Sequence, residues 1–165
     1  MSPHHRKEHS QGWAGASKSL EKKVKSFTAL DKIESVINSL KEKYPSHKFN
    51  ASSFPPVTLF SDNSFDTIIS FQVIEHIKDD VLFIKEIYRL LRSGGKALVT
   101  TPNILMTLTR NPWHIREYTS ESLLKIALKS FDNVEIRCLF FCCRLKANQK
   151  SDRASYKKIY VARES

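Results

Sequence analysis

Along the chain, apolar positions recur at two spacings, and the switches between them mark out the elements. The segment "VKSFTALD" reads as a short strand ending at Asp31, after which Ile33, Val36, Ile37, Leu40 and Tyr44 recur at the spacing of one helix face. Pro45 in "YPSH" stops that helix, because proline lacks the N–H a continuing turn needs. "HKFNAS" is a second short strand, and "SFPPVTLFSDNS" is a loop with two prolines and a Ser-Asp-Asn-Ser turn. "FDTIISFQ" is apolar on both faces, the pattern of a central strand covered on each side. Asp79 or Asp80 caps the next helix, with Phe83, Ile84, Ile87, Leu90 and Leu91 as its stripe and Gly94 and Gly95 at its end. "KALVTTP" is another buried strand, followed by the long polar-aromatic connection "NILMTLTRNPWHIREY". Thr119 caps a helix through about Ser130, and "NVEIRCLFFCCRL" and "KKIYVAR" close the chain as two strands of a long-looped hairpin.

Strands alternating with helices at this spacing predict an α/β fold with a mostly parallel sheet. Ligands of such sheets sit beyond the carboxyl ends of the strands. Here those ends are Asp31, Ala51–Ser53, Ser70–Val73 and Thr101–Asn103. The length, 165 residues, suits one domain with a real core. Residues 1–19 have no hydrophobic period and are rich in His, Lys and Ser, so they read as a poorly ordered basic start, with the domain over residues 20–165.

Charge and cysteine content narrow the function classes. Lys plus Arg number 27 against 17 Asp plus Glu, a net charge of +10 that suits a polyanion surface. Much of the excess lies near the two ends, in "HHRKEH", "KKVK" and "RLKANQKSDRASYKK", without the interleaved aromatics of a nucleic-acid stacking platform. Nucleic-acid binding is therefore the weaker reading of that charge. Cys138, Cys142 and Cys143 are an odd number crowded into one segment, which argues against a secreted disulfide framework and for a reducing cytoplasm. Cys142 and Cys143 are adjacent and have no neighbouring His, so they make a poor zinc set, and no metal is expected. No window approaches a membrane span.

The stretch "FSDNSFDTIISFQVIEHIKDDVLFIKEIYRLLRSGGKALVTTPN" resembles the second half of class I S-adenosylmethionine-dependent methyltransferases, and most of all the small-molecule group of the ubiquinone and menaquinone pathways. The turn before "FD", the "EHI" after the strand, the "RLLRSGG" helix end and the "TTPN" strand end follow that family's order. The resemblance extends from about Lys22 to Arg137. It implies a Rossmann-like sheet whose last strand, "KKIYVAR", inserts antiparallel, with S-adenosylmethionine as cofactor and a small-molecule methyl acceptor. Asp31 matches the acid that binds the cofactor ribose, a role open to a carboxylate that accepts from two vicinal hydroxyls; the alternative is a cap for the following helix. Ser52 and Ser53 lie where the family places an Asp or a small residue near the adenine. Ser70, Phe71, Gln72 and Val73 match the strand end beside the methionine part, which Gln72 could reach. His76 and His114 are rival candidates for the base that takes a proton from an acceptor hydroxyl, although the Glu75-His76 pair also suits a purely positioning role. Trp113 and Tyr118 would wall an acceptor pocket, and Arg116 would pair with an anionic acceptor or with Glu117.

One departure from the family stands out. Its first strand ends in a "GxGxG" loop whose missing Cβ atoms let the backbone approach the cofactor. Only Gly12, Gly15, Gly94 and Gly95 occur in this chain. Gly12 matches the last loop glycine, while Glu8 and Ser10 fall on the earlier ones, and "SPHHRKEH" stands where an apolar strand belongs. The reading is a methyltransferase domain with its first strand and glycine loop degraded or missing, through truncation, a misplaced start or degeneration. Its activity as given is in doubt, and the rival is a non-catalytic remnant that binds or regulates.

Overall fold

A computed structural model describes residues 24–105, 111–138, 144–148 and 158–164. Residues 1–19, with Gly12 and the segment matched to the glycine loop, lie outside the described residues. The chain divides into two compact units, Met1–Phe54 and Pro55–Ser165.

The first unit is a strand-helix-strand element. Strands β1 (Thr28–Asp31) and β2 (Lys48–Ala51) pair in parallel, from Thr28 opposite Lys48 to Asp31 opposite Ala51. Helix α1 (Glu34–Lys43) links them and buries Val36, Ile37 and Leu40, three of the five periodic positions. These pack with Ala29 and Phe49, and Phe27, Ile33 and Tyr44 complete the cluster. His47 lies edge-on between Phe27 and Phe49, with ring centroids 5.6 and 6.3 Å away.

The second unit carries β3 (Phe65–Phe71), a 3₁₀ turn (Ile74–His76), α2 (Asp80–Leu90), β4 (Leu91–Pro102), α3 (Ser120–Ala127), β5 (Asn133–Cys138), β6 (Arg144–Asn148) and β7 (Lys158–Glu164). Its sheet has the order β3-β4-β7-β5-β6. The β3–β4, β4–β7 and β5–β7 pairs are parallel, as an α/β fold requires, and β5–β6 is antiparallel. The antiparallel strand is thus β6, not the final "KKIYVAR" strand. The segment "NVEIRCLFFCCRL" spends a chain reversal within itself, pairing Arg137 with Arg144. A second reversal then brings β7 back along the direction of β5, on its other side.

A second correction concerns β3. Its two-sided apolar pattern suggested a covered central strand, yet it is the outermost strand of this sheet among the described residues. Ile68 and Ile69 are half-buried and Phe71 is exposed, whereas Val99 of the neighbouring β4 is fully buried.

Helix ends follow local chemistry. Asp79 caps α2 by accepting from the Leu82 N–H at 2.9 Å, and Thr119 and Ser122 form a reciprocal capping box on α3. After α2, Gly94 adopts φ +78°, and a Cβ on Gly95 would lie 2.8 Å from the Arg92 carbonyl oxygen. Both glycines thus fall within β4, beyond the helix C-cap at Leu91 and not at the helix end that the sequence suggests; the positive φ at Gly94 and the close approach at Gly95 each favour glycine there. Near the C-terminal end of α2, Arg89 donates to both carboxylate oxygens of the buried Glu86 at 3.0 Å and to the carbonyls of Val57 and Phe60. It also donates to Asp62 at 2.7 Å. Glu86 accepts in addition from the Val57 N–H at 3.1 Å. Together these contacts fasten the proline loop to the helix.

The Arg89 hydrogen bonds lower the pKa of Glu86 from the ordinary 4.5, and the Val57 amide adds to the effect. A depressed carboxylate stabilises the fold fully above its unfolded value, and that stability is lost as pH falls through the folded value. Thermal melts from pH 7 into acid should show stability falling below about pH 4.5. Glu86→Gln should melt lower at pH 7 and show a shallower acid slope; equal slopes would refute the assignment.

Candidate functional site

The carboxyl end of β3 turns sharply. Gln72 adopts φ +51°, the left-handed region that non-glycine residues seldom occupy. Its N–H lies 3.1 Å from both the carbonyl oxygen and the hydroxyl of Thr100 on β4. Val73 follows, and its carbonyl accepts from the His76 N–H at 2.9 Å to close the 3₁₀ turn. Neither Gln72 nor Val73 carries a glycine or proline signal, so this turn was not legible as one.

Glu75 is fully buried in that turn. Its Oε2 accepts from the Thr101 hydroxyl at 3.0 Å, and its carbonyl accepts from the Ile115 and Arg116 amides at 2.9 and 3.2 Å. One residue thereby joins the turn, the end of β4 and the segment that follows. Arg116 donates to Asp80 rather than Glu117, and Tyr118 donates to the same Asp80 oxygen at 3.1 Å. The Asp80 hydrogen bond raises the pKa of Arg116 further, so it stays a cation. Burial, then the charge of Asp80, raises the Tyr118 phenol well above its ordinary 10.0, so it stays a neutral donor. Tyr118 is buried as a wall would be, whereas Trp113 is exposed.

Two imidazoles meet beside this anchor. The His76 and His114 rings stand edge-to-face with centroids 5.1 Å apart. His76 Nδ1 lies 3.0 Å from the Trp113 carbonyl oxygen, which can only accept, so Nδ1 carries the proton. His114 Nδ1 lies 2.9 Å from Glu117 Oε1, and the Asn111 side-chain nitrogen lies 3.1 Å from His114 Nε2. A carboxylate accepts and an amide NH₂ donates, so His114 too is protonated at Nδ1. In their neutral forms both rings carry the lone pair on Nε2. Glu75, His76 and His114 each offer a ligand atom, and these atoms lie within 4.8 Å of one another.

In the first unit, Asp31 ends β1, and its Oδ1 accepts from the Ile33 N–H at 2.9 Å. This is a local turn and not the cap of α1, whose N-cap, Ile33, has no side-chain bond. The Asp31 carbonyl accepts from the Ser52 N–H at 3.0 Å, and the Ser52 hydroxyl turns to the Ser53 carbonyl at 3.1 Å. The structure thus brings Asp31, Ser52 and Ser53 together at one strand end, and Gln72, Val73, His76 and His114 together in the second unit. The contacts of Asn111 and Glu117 with His114, and of Thr101 with Glu75, escaped sequence reasoning because common polar residues acquire such roles only through the folded arrangement.

Residues 10–99 match the family described as "Methyltransferase domain". A probable S-adenosylmethionine-dependent methyltransferase of Mycobacterium tuberculosis is 32% identical over 124 residues, which is 72% of this chain and 45% of that protein. One so named from Mycolicibacterium smegmatis is 35% identical over 102 residues, 59% of this chain and 39% of the relative. The chain therefore spans less than half the length of the curated relatives it matches. A solved structure from Bacillus halodurans C-125, described as a candidate methyltransferase, aligns with TM-score 0.64 at 16% identity, over 76% of this chain and 61% of that one. At that identity the likeness concerns the fold. No helix among the described residues is long and apolar enough to cross a membrane.

The Thr101–Glu75 bond is directly testable. Thr101→Val preserves shape but leaves a buried carboxylate oxygen without its donor, which should cost about 1–3 kcal/mol. Chemical denaturation would read this as a lower midpoint; an unchanged midpoint would show that Glu75 does not depend on that hydroxyl.

Proposed function

This chain belongs to the class I methyltransferase domain family, and we propose from that membership that it is an S-adenosylmethionine-dependent methyltransferase for a small-molecule acceptor. The observation that carries the proposal is the family match over residues 10–99, which spans both Asp31 and the turn after β3. When bound, S-adenosylmethionine supplies a methyl carbon that an acceptor oxygen takes as the carbon–sulfur electron pair returns to sulfur. The chain's own part is chiefly to hold two reactants in line. Asp31 would take the ribose: only one hydrogen bond to its carboxylate is local, and a carboxylate has about four acceptor positions. Ser52 and Ser53 would border the adenine, and Gln72 and Val73 the methionine end. His76 and His114 would be the acceptor-side groups for a hydroxyl proton, each through Nε2, which on His114 would first have to release the Asn111 amide.

A second reading, the non-catalytic remnant, is favoured by Glu8 and Ser10 standing where the family carries glycines. Cβ atoms there would keep backbone amides from the cofactor. Losing several such bonds at about 1 kcal/mol each weakens binding by roughly two orders of magnitude, from micromolar toward millimolar.

Calorimetric titration of the chain with S-adenosylmethionine distinguishes the readings. Millimolar binding is expected, weakened a further 1–3 kcal/mol by Asp31→Ala, the scale of a hydrogen bond to a charged group. A dissociation constant unmoved by Asp31→Ala would remove its ribose role. Micromolar binding would show that "SQGWAG" still builds a working cradle.

A further inference from the structure

We propose that Glu75, His76 and His114 form a binding site for one divalent transition-metal ion. Their ligand atoms lie within 4.8 Å of one another. Ligands at about 2.0–2.1 Å from a tetrahedral ion are themselves about 3.4 Å apart, so separations of up to 4.8 Å need to close by up to about 1.4 Å through side-chain rotation.

The hydrogen bonds around the rings are those of metal-ligating histidines. Such a histidine donates its second N–H to a backbone carbonyl or a carboxylate, which fixes the tautomer and raises ligand basicity. His76 does this to the Trp113 carbonyl and His114 to Glu117, so both present Nε2 as the ligand atom. Glu75 is in turn held by the Thr101 hydroxyl, as an anchored carboxylate ligand would be. Charge points the same way. The carboxylate of Glu75 is fully buried and that of Glu117 nearly so, and a cation between the rings would offset both. Metal binding would displace the Asn111 amide from His114 Nε2.

Two imidazoles and one carboxylate suit zinc, cobalt or ferrous iron and not magnesium or calcium, which prefer all-oxygen sets. Three protein ligands also leave coordination positions open. Taken with the methyltransferase reading, on which this role alone rests, an open position would receive the acceptor oxygen and lower its pKa. With the ion bound, the proton would leave to solvent, because the imidazole lone pairs that would take it in the metal-free chain are committed to the metal.

The test is titration of the full chain with cobalt(II) alone, followed by visible absorption and calorimetry, with no S-adenosylmethionine or acceptor present. Its failure would therefore leave the methyltransferase reading untouched. One cobalt per chain is expected, with d–d bands and no thiolate charge-transfer band. His76→Ala and His114→Gln should each weaken binding by at least 10–100-fold, and Glu117→Gln by about 10–100-fold, the scale of an outer-shell change. Circular dichroism melts of each variant would confirm that it is folded. A thiolate band, which would place the ion on the cysteines, would overturn the proposal. So would affinity unmoved in the folded His76 and His114 variants, or no binding tighter than millimolar.

Discussion

Glu75 is wholly withdrawn from solvent, and burying a carboxylate costs several kcal/mol unless hydrogen bonds and nearby charge offset it. The second unit meets part of that demand at the carboxylate and also holds the backbone of the same residue. The end of β4 supplies the Thr101 hydroxyl, and the segment before α3 supplies two amides to the Glu75 carbonyl. Because Glu75 is fixed, its neighbour His76 is fixed, and the 111–117 segment delivers His114 to it. The edge-to-face pairing of the two rings follows from docking the 111–117 segment on the backbone of that one turn.

A second set of charges supports the same end from the helix side. Asp80 opens α2, accepts from Arg116 and Tyr118, and so ties the first turn of the helix to the segment bearing His114. At the far end of α2, Arg89 and Glu86 hold the proline loop. The helix is thus pinned at both ends by buried or half-buried ions, while its apolar stripe of Phe83, Ile84, Ile87 and Leu90 forms the core. Rigid placement of this kind is what a site needs when its chemistry consists mainly of holding reactants in register.

Local pattern made much of this fold legible. The helical spacing of Ile33 to Tyr44 and of Phe83 to Leu91 located α1 and α2, and Thr119 located the start of α3, because periodicity and capping act over a few residues. Strand order and direction did not follow from local signals. The edge position of β3 and the parallel course of β7 depend on which strands find each other, and the short reversal between Arg137 and Arg144 carries no glycine or proline to announce it. At the site, Gln72 and His76 were placed at the β3 end from sequence, but the left-handed turn at Gln72 had no marker. Glu75 was legible only as half of a Glu75-His76 pair suited to positioning, since its partners lie far along the chain. The pairing of His76 with His114 was visible only as rivalry between two candidates.

The central claim is that the strand ends of this methyltransferase-family chain receive S-adenosylmethionine, with the ribose acid at Asp31. Nuclear magnetic resonance of the ¹⁵N-labelled chain tests this most directly, because it registers weak binding residue by residue. The account predicts saturable shifts of the Asp31 and Ser52 amides on titration with S-adenosylmethionine, and no shift of Asp31 when the ligand is adenine alone. Amides at β1 and β2 that stay still, or that shift without saturating, would contradict it.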